Sequence, residues 1–201
     1  MKKNIKWIFF AIALVMFVVL CVLVEFKNDI FIDSAVYKIL SKGISDNMTS
    51  VIKIFTFFGS AVAVISITVL ALIFIKNKKY PLFMALDLVI ITLLQLILKN
   101  CFARNRPVDI NLIEETGYSF PSGHSLTAFA FYGLIIYFIY TSNMSLKAKK
   151  IMITVLVLLI LLVGISRIYL GVHFFTDVLG AFSFSTMYLI IYISMIKTKL
   201  N

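Results

Sequence analysis

Residues 151–168 read IMITVLVLLILLVGISRI, an apolar run whose only charged residue is Arg167. The run is much longer than the roughly four to eight apolar residues of a buried strand. It approaches the roughly 20 residues that a helix needs to cross the hydrocarbon core of a bilayer. Because lipid offers no hydrogen-bond partners to the backbone, we expect this segment to be a transmembrane helix.

The rest of the chain shares this character. Hydrophobic residues make up 62% of its 201 residues, and the mean hydropathy is +1.05, whereas soluble domains are about half apolar. Apolar runs predict helices at residues 7–24, 51–75, 81–98, 122–140, 151–168 and 172–196. The first run exceeds the apolar region of a signal peptide and lacks a small-residue cleavage site, so we expect it to remain uncleaved. The predicted fold is an all-α polytopic membrane protein, with six transmembrane helices in one bundle and residues 1–201 as a single domain.

The placement of charge predicts the orientation of this bundle. The net charge is +10, and lysine clusters flank the apolar runs at Lys2, Lys3, Lys6, Lys76, Lys78, Lys79, Lys147, Lys149, Lys150, Lys197 and Lys199. The acidic residues other than Asp87 lie in the alternate segments, at Glu25, Asp29, Asp33, Asp46, Asp109, Glu114, Glu115 and Asp177. Since excess Lys and Arg mark cytoplasmic loops, we expect both termini in the cytoplasm. No basic patch is interleaved with exposed aromatic residues, so no nucleic-acid partner is expected.

Two connecting segments and one buried carboxylate are of interest. Residues 28–50 are either a short amphipathic helix on the membrane surface or an ordinary surface loop. Residues 100–121 form a polar connection that is longer than adjacent helices need, which is typical of functional loops. Asp87 lies inside an apolar run, where an ionisable residue suggests function. Its distance in sequence from the polar motifs favours a packing or hydrogen-bonding role.

Three polar motifs fall at the helix ends opposite the lysine clusters. The first, KNCFARNRP at residues 99–107, contains Lys99 and Arg106. Taken alone, Lys99 could extend to the membrane surface and Arg106 could lie in a surface turn. The second, PSGH at residues 121–124, opens an apolar helix. Ser122 could cap that helix, or Ser122 and Gly123 could present unpaired backbone N–H groups to a phosphate.

The third motif contains Ser166, Arg167, His173 and Asp177. Because the predicted last helix includes both His173 and Asp177, four residues apart, we expect them to share one helix face. A carboxylate bonded to one imidazole nitrogen leaves the other nitrogen oriented and basic, as nucleophilic catalysis requires. The alternative is a structural polar pair, although such a pair is costly near a membrane.

Considered together, the motifs suggest phosphoryl transfer. Lys99, Arg106 and Arg167 supply fixed positive charge, and phosphoryl transfer depends mainly on positioning and on neutralising phosphate oxygens. In this interpretation His173 attacks phosphorus and His124 protonates the leaving oxygen as a general acid.

The pattern Lys-x6-Arg-Pro, Pro-Ser-Gly-His and Ser-Arg-x5-His-x3-Asp resembles the type 2 phosphatidic acid phosphatase superfamily. The resemblance implies a phosphohistidine on His173, with Asp177 orienting the ring and His124 as the acid. It also implies a phosphate-binding set of Lys99, Arg106, Ser122, Gly123 and Arg167. No metal and no cofactor are implied.

The same resemblance implies a substrate class. We expect a lipid phosphate or diphosphate, bound together with membrane lipids at the extracytoplasmic face, and undecaprenyl diphosphate converted to its monophosphate is the first candidate. Phosphatidylglycerol phosphate and phosphatidic acid are alternatives, as is transfer of the phosphoryl group to an acceptor other than water. A non-catalytic anion carrier is disfavoured because carriers place ionisable groups near mid-membrane. The oligomeric state stays open.

Overall fold

The computed structural model of the protein describes residues 2–26, 30–108 and 110–200, with side chains from residue 5 onward. Asp29 and Asp109 therefore lie outside the described residues. Within these ranges the chain forms eight helices and no strand: α1 (Lys2–Phe26), α2 (Phe31–Ser41), α3 (Asp46–Phe57), α4 (Ala61–Phe74), α5 (Lys79–Phe102), α6 (Gly123–Thr141), α7 (Leu146–Tyr169) and α8 (Phe175–Leu200). Of these described helices, five can cross a membrane, or six spans result if α3 and α4 count as one. The predicted all-α membrane fold is confirmed.

The predicted helix at residues 51–75 is wrong in one respect, because α3 and α4 meet at an angle of 47°. A side chain at Gly59 would place its Cβ only 3.1 Å from Cβ of His124, so this position accommodates a close backbone approach. Ser60 then caps α4 with its side chain. The Tyr132 hydroxyl donates to the Phe58 carbonyl at 2.8 Å and satisfies one main-chain group released by the break.

Helix α6 is the centre of the bundle. It packs against α5, α7 and α8, whereas α1 packs on α8, α3 on α7 and α4 on α5. Ala128 and Ala130 are fully buried, and a Cβ at Gly133 would lie 2.5 Å from the Leu189 side chain. Small residues thus allow neighbouring helices to approach α6 closely. This central helix carries His124 in its first turn.

The two ends of the bundle differ in character. At one end, which we call the lysine end, Lys6 donates to Ser194 at 2.8 Å, and the rings of Tyr80 and Phe138 lie 5.0 Å apart. The opposite end contains the C-termini of α5 and α7 and the N-termini of α6 and α8. All three sequence motifs lie at this second end, which we call the site end.

Helix α2 lies at the site end and packs against α7 and α8. Of the two interpretations of residues 28–50, the helix is correct over Phe31–Ser41, and residues 28 and 29 lie outside the described part. Phe31 is 87% exposed, whereas Ile30 and Asp33 are buried. One face of α2 therefore directs an acidic side chain into the protein.

Candidate active site

The three motifs meet at a single cavity of about 840 Å³. Its lining includes Lys99, Arg106, Gly123, His124 and His173, which come from all three motifs. The other predicted site residues lie deeper in the protein, almost without solvent exposure: Ser122, Arg167 and Asp177. The two imidazoles therefore share one chamber and are not separated by the thickness of the membrane.

His173 lies outside the last helix, which begins at Phe175 and not near residue 172 as predicted. Gly171 adopts φ +70°, a left-handed conformation that ends helices, and a Cβ there would lie 2.2 Å from the Ile110 carbonyl oxygen. The chain consequently turns before α8 begins. The predicted shared helix face for His173 and Asp177 is wrong, yet His173 Nδ1 still lies 3.4 Å from Asp177 Oδ2.

The hydrogen bonds of His173 define its tautomer. Arg106 Nη1 lies 3.0 Å from His173 Nε2, and because arginine can only donate, Nε2 must be the acceptor. The ring proton then lies on Nδ1, facing Asp177. Oδ2 of Asp177 is held in place by the Phe174 main-chain N–H at 2.8 Å. Nε2 of His173 is thus unprotonated, and its lone pair becomes available for attack once Arg106 moves to another acceptor.

The neutral state of His173 follows from its surroundings. Burial lowers the pKa of the imidazole to about 4, and the opposing hydrogen bond and charge of Asp177 do not overcome this effect. The ring is therefore unprotonated, and able to act as a nucleophile, across the physiological pH range.

We expect His173 to remain neutral when the pH is lowered from 7 to 5. Since the unfolded chain would bind this proton near pH 6.5, the same group also reduces folding stability as the pH falls through that window. The test is ¹⁵N NMR of histidine-labelled protein in detergent, where the chain's two histidines are assigned with a His124→Asn variant. A His173 signal that titrates near pH 6.5 would contradict the expectation.

The cations of the site contact the loop that follows α5. Arg106 donates through Nε to the Gly117 carbonyl at 2.9 Å and through Nη2 to the Thr116 carbonyl at 3.0 Å. Lys99 donates to the Tyr118 carbonyl. The loop therefore provides these cations with internal oxygen ligands.

Glu115 provides the strongest of these internal ligands. Its carboxylate bonds to Nη2 of Arg167 and lies 3.7 Å from Nη2 of Arg106. Burial is the largest single influence on Glu115 and opposes its ionisation, but the charge and hydrogen bond of Arg167 and the charge of Arg106 act with smaller effects in the other direction, and together they hold the pKa of the carboxyl below its usual value. Glu115 also lines the cavity, so a carboxylate lies among the groups expected to bind phosphate.

Substituting Glu115 should therefore strengthen the binding of phosphate. Glu115→Gln keeps the shape but removes the competing charge, and we expect the inhibition constant of inorganic phosphate to fall about tenfold, equivalent to about 1.4 kcal/mol. Glu114→Gln is the matched control, since Glu114 lies on the same loop and is exposed. An inhibition constant that does not fall below that of the Glu114→Gln control would show that Glu115 does not compete with phosphate.

The PSGH motif lies at the start of α6 and contacts both α5 and α8. Ser122 occupies the N-cap position of α6 without a side-chain capping bond. Its hydroxyl pairs with Ser125 at 2.9 Å, and its N–H donates to the Asp177 carbonyl at 3.1 Å. A Cβ at Gly123 would lie 2.7 Å from the amide of Gln95, which explains the need for glycine. Of the two interpretations of Ser122, the structure therefore does not show the side-chain cap.

Sequence reasoning assigned no role to three further groups near the site. Glu115 is one, and Arg104 and Asp33 form a buried ion pair beside Asp177. Arg104 stands two residues before Arg106, and Asp33 is the acidic residue of the first turn of α2. No sequence pattern predicts that Arg104 and Asp33 pair, because they are 71 residues apart in the chain.

Asp87 lies in the span of α5 and is fully buried. Among the described residues, neither oxygen of its carboxyl has a hydrogen-bond partner. The Tyr188 hydroxyl lies 3.4 Å from the main-chain oxygen of Asp87. The full burial of Asp87 fits the packing role that was one of the two predicted for it, and the hydrogen-bonding role stays a prediction.

Fold and site together define a membrane-spanning helical protein with a cavity at one end of its bundle that two histidines, a lysine and an arginine line. The chain belongs to the PAP2 superfamily, whose sequence profile matches residues 79–200. This finding confirms the resemblance drawn from the three motifs.

Curated relatives match different parts of the chain. The chain is 48% identical to phosphatidylglycerophosphatase B of Bacillus subtilis over 92 residues, which are 45% of each protein. The matched segment thus spans less than half the length of that relative. The chain is 26% identical to undecaprenyl-diphosphatase of Sulfolobus acidocaldarius over 189 residues, covering 90% of this chain and 85% of the relative.

Solved structures share the fold over most of its length. The crystal structure of a transmembrane PAP2 type phosphatidylglycerolphosphate phosphatase from Bacillus subtilis matches with a TM-score of 0.85 and 29% identity, covering 96% of this chain and 97% of the other. Aquifex aeolicus LpxE matches in fold with a TM-score of 0.67 and 24% identity, covering 83% and 96% of the two chains.

Proposed function

We propose that this protein is a phosphatase that hydrolyses a membrane lipid phosphate or diphosphate through a phosphohistidine on His173. The observation that carries the proposal is the lone pair of His173 Nε2 beside Arg106, in the cavity that His124 also lines. Membership of the PAP2 superfamily supports the same reaction class.

In the first step, His173 Nε2 forms a bond to phosphorus while the bond from phosphorus to the lipid or lipid-phosphate oxygen breaks. His124, which takes up a proton when the anionic substrate binds beside it, donates that proton to the leaving oxygen. Arg106 and Arg167 turn from their internal partners to the equatorial phosphate oxygens, where guanidinium groups fit well. Asp177 stabilises the positive charge that develops on the His173 ring.

In the second step, water attacks the phosphorus of the phosphohistidine. His124, now neutral, accepts a proton from that water, and the bond between phosphorus and Nε2 breaks. Inorganic phosphate leaves, and both histidines return to their starting states. The fixed cations neutralise the phosphate oxygens, so we propose a reaction that needs no metal ion and no cofactor.

We propose that the lipid chain lies in the apolar part of the same cavity. The cavity continues from the phosphate end along α4 and α5 as far as Leu72 and Ala85. Val89 and Leu93 on its wall expose more than half of their surface, so the groove opens sideways toward the surrounding lipid. An apolar tail can lie there while its phosphate remains at His173.

Two substrates have specific support. Undecaprenyl diphosphate, the candidate from sequence, is supported by the relative named undecaprenyl-diphosphatase. Phosphatidylglycerol phosphate is supported by the relative named phosphatidylglycerophosphatase B and by the structure with a TM-score of 0.85.

The test is phosphate release by the purified protein in detergent with EDTA. The panel contains undecaprenyl diphosphate, phosphatidylglycerol phosphate, phosphatidic acid and a soluble sugar phosphate. We expect turnover of at least one lipid and little of the sugar phosphate, which lacks an apolar tail. No release from any lipid would contradict a hydrolase. Release that requires an added acceptor would indicate a transferase, and release abolished by EDTA would contradict the metal-free mechanism.

We also propose that the site end faces away from the cytoplasm, with both termini inside. The support is the separation of the lysine end from the motifs, since lysine-rich loops stay in the cytoplasm. Glu114→Cys and Lys147→Cys, each in a chain without its two native cysteines, mark the two ends at exposed positions. A membrane-impermeant maleimide should label position 114, but not position 147, on intact cells, and the reverse result would invert the orientation.

A further inference from the structure

A second layer of charged groups lies behind Asp177. Arg104 Nη1 donates to Asp177 Oδ1 at 2.6 Å, while Arg104 Nη2 donates to Asp33 Oδ2 at 2.9 Å. The guanidinium therefore joins two carboxylates that are distant in sequence. Its carbon also lies 4.0 Å from the centre of the Phe174 ring, which packs against its flat face.

The carboxylate of Asp33, like that of Asp177, is held by several hydrogen bonds. Its Oδ1 accepts the main-chain N–H of Thr176 at 2.8 Å, and its Oδ2 accepts the Thr176 hydroxyl at 2.8 Å. That hydroxyl in turn accepts from Arg104 Nη1 at 2.8 Å. Since Thr176 lies in the first turn of α8, Asp33 satisfies a free N–H of this helix from a separate helix, α2.

These groups are buried and do not face the substrate. The side chains of Arg104, Asp33 and Asp177 are 9%, 3% and 0% exposed. Among the described residues, those that line the cavity do not include Arg104, Asp33 or Thr176. Arg104 consequently differs from Arg106, which lines the cavity and contacts His173 directly.

We infer that Arg104 and Asp33 are positioning residues, which fix Asp177 and through it the reactive tautomer of His173. The two carboxylate oxygens of Asp177 have different partners: Oδ2 faces His173, and Oδ1 accepts a hydrogen bond from Arg104. Without Arg104, two carboxylates would be buried without a cation, and Asp177 would rotate or bind a proton. Helix α2 thereby becomes part of the catalytic apparatus, because it supplies the carboxylate that holds Arg104 in place. This inference rests on the proposed function, in which His173 is the nucleophile.

The variants to compare are Arg104→Ala, Arg104→Lys and Asp33→Asn. In metal sites, loss of the group that hydrogen-bonds a ligand reduces activity about 10- to 100-fold, and we expect the same scale for the partner of Asp177. We expect kcat of Arg104→Ala to fall about 100-fold and that of Asp33→Asn about tenfold, with KM within about twofold, because the phosphate ligands are untouched. Arg104→Lys should recover only part of the loss, since one ammonium cannot join two carboxylates side by side. Added methylguanidine should partly restore Arg104→Ala. Asp46→Asn, at an exposed position on α3, is the control and should match the wild type.

A substrate-free readout separates this inference from the proposed function. ¹⁵N NMR of His173 should show a proton on Nδ1 in the wild type and a mixture of tautomers in Arg104→Ala. If the wild type hydrolyses no lipid phosphate, the proposed function fails while the NMR comparison still tests the positioning. The inference is overturned if the Arg104→Ala variant has the same kcat and the same His173 spectrum as the wild type. If Arg104→Ala does not fold, unchanged kcat and spectrum in the isosteric Asp33→Asn variant overturn it instead. A loss confined to KM would also overturn it, by making Arg104 a substrate ligand.

Discussion

His173→Ala should abolish turnover, with a fall in kcat of at least about 10⁴-fold, as found when the nucleophile of a covalent hydrolase is removed. The variant keeps the cations of the site but has no atom that can bond to phosphorus. The measurement combines phosphate release with acid quenching after mixing with ³²P-labelled lipid. Wild-type protein should carry acid-labile label, and the variant should carry none.

The control for this result is the binding of inorganic phosphate. Lys99, Arg106 and Arg167 remain in His173→Ala, so phosphate should still raise the temperature of unfolding. A variant that folds and binds phosphate yet turns over lipid at the wild-type rate would disprove the nucleophile assignment.

His124→Ala should separate the two proton transfers of the reaction. General acid–base catalysis contributes about 10²- to 10⁴-fold, and we expect a loss of this size with lipid phosphates, whose leaving alkoxide needs a proton. An activated aryl phosphate has a stable leaving group, so its first step should be nearly unaffected. Its steady-state rate should still fall, because water must lose a proton in the second step.

The distinguishing measurement is a rapid-mixing experiment with the aryl phosphate. His124→Ala should release close to one equivalent of phenol in a burst and then accumulate labelled phosphohistidine. An equal loss in the burst rate for aryl and lipid substrates would argue against an acid role for His124.

Much of the fold could be predicted because membrane burial leaves a simple signal. Apolar runs of about 20 residues predicted the spans, and the positions of α5, α6 and α7 agree with prediction to within a few residues. The break at Gly59 was missed because the run from residue 51 to 75 is apolar on average, and the Gly59-Ser60 pair within it, a common cause of kinks, was not considered. Hydropathy indicates whether a segment lies in lipid or in water, but it does not indicate where another helix packs closely against it.

The site was predicted where the reacting groups lie within short motifs and missed where pairing depends on the folded chain. Lys99, Arg106, His124 and His173 were named from their motifs and line one cavity. Asp33 was counted only as a loop charge, since its bond to Thr176 joins residues 143 positions apart. No local periodicity reports a contact of that range.

The break between α3 and α4 lets the two parts of one bent span pack against different helices. Helix α3 is attached to α7, which carries Arg167, whereas α4 is attached to α5 and forms the wall of the lipid groove. Substitutions on the facing surfaces of α4 and α5 can reshape the space for the tail without disturbing α3 against α7. Under the proposed function, such substitutions would change which apolar tails fit the groove and leave the groups around the phosphate in place.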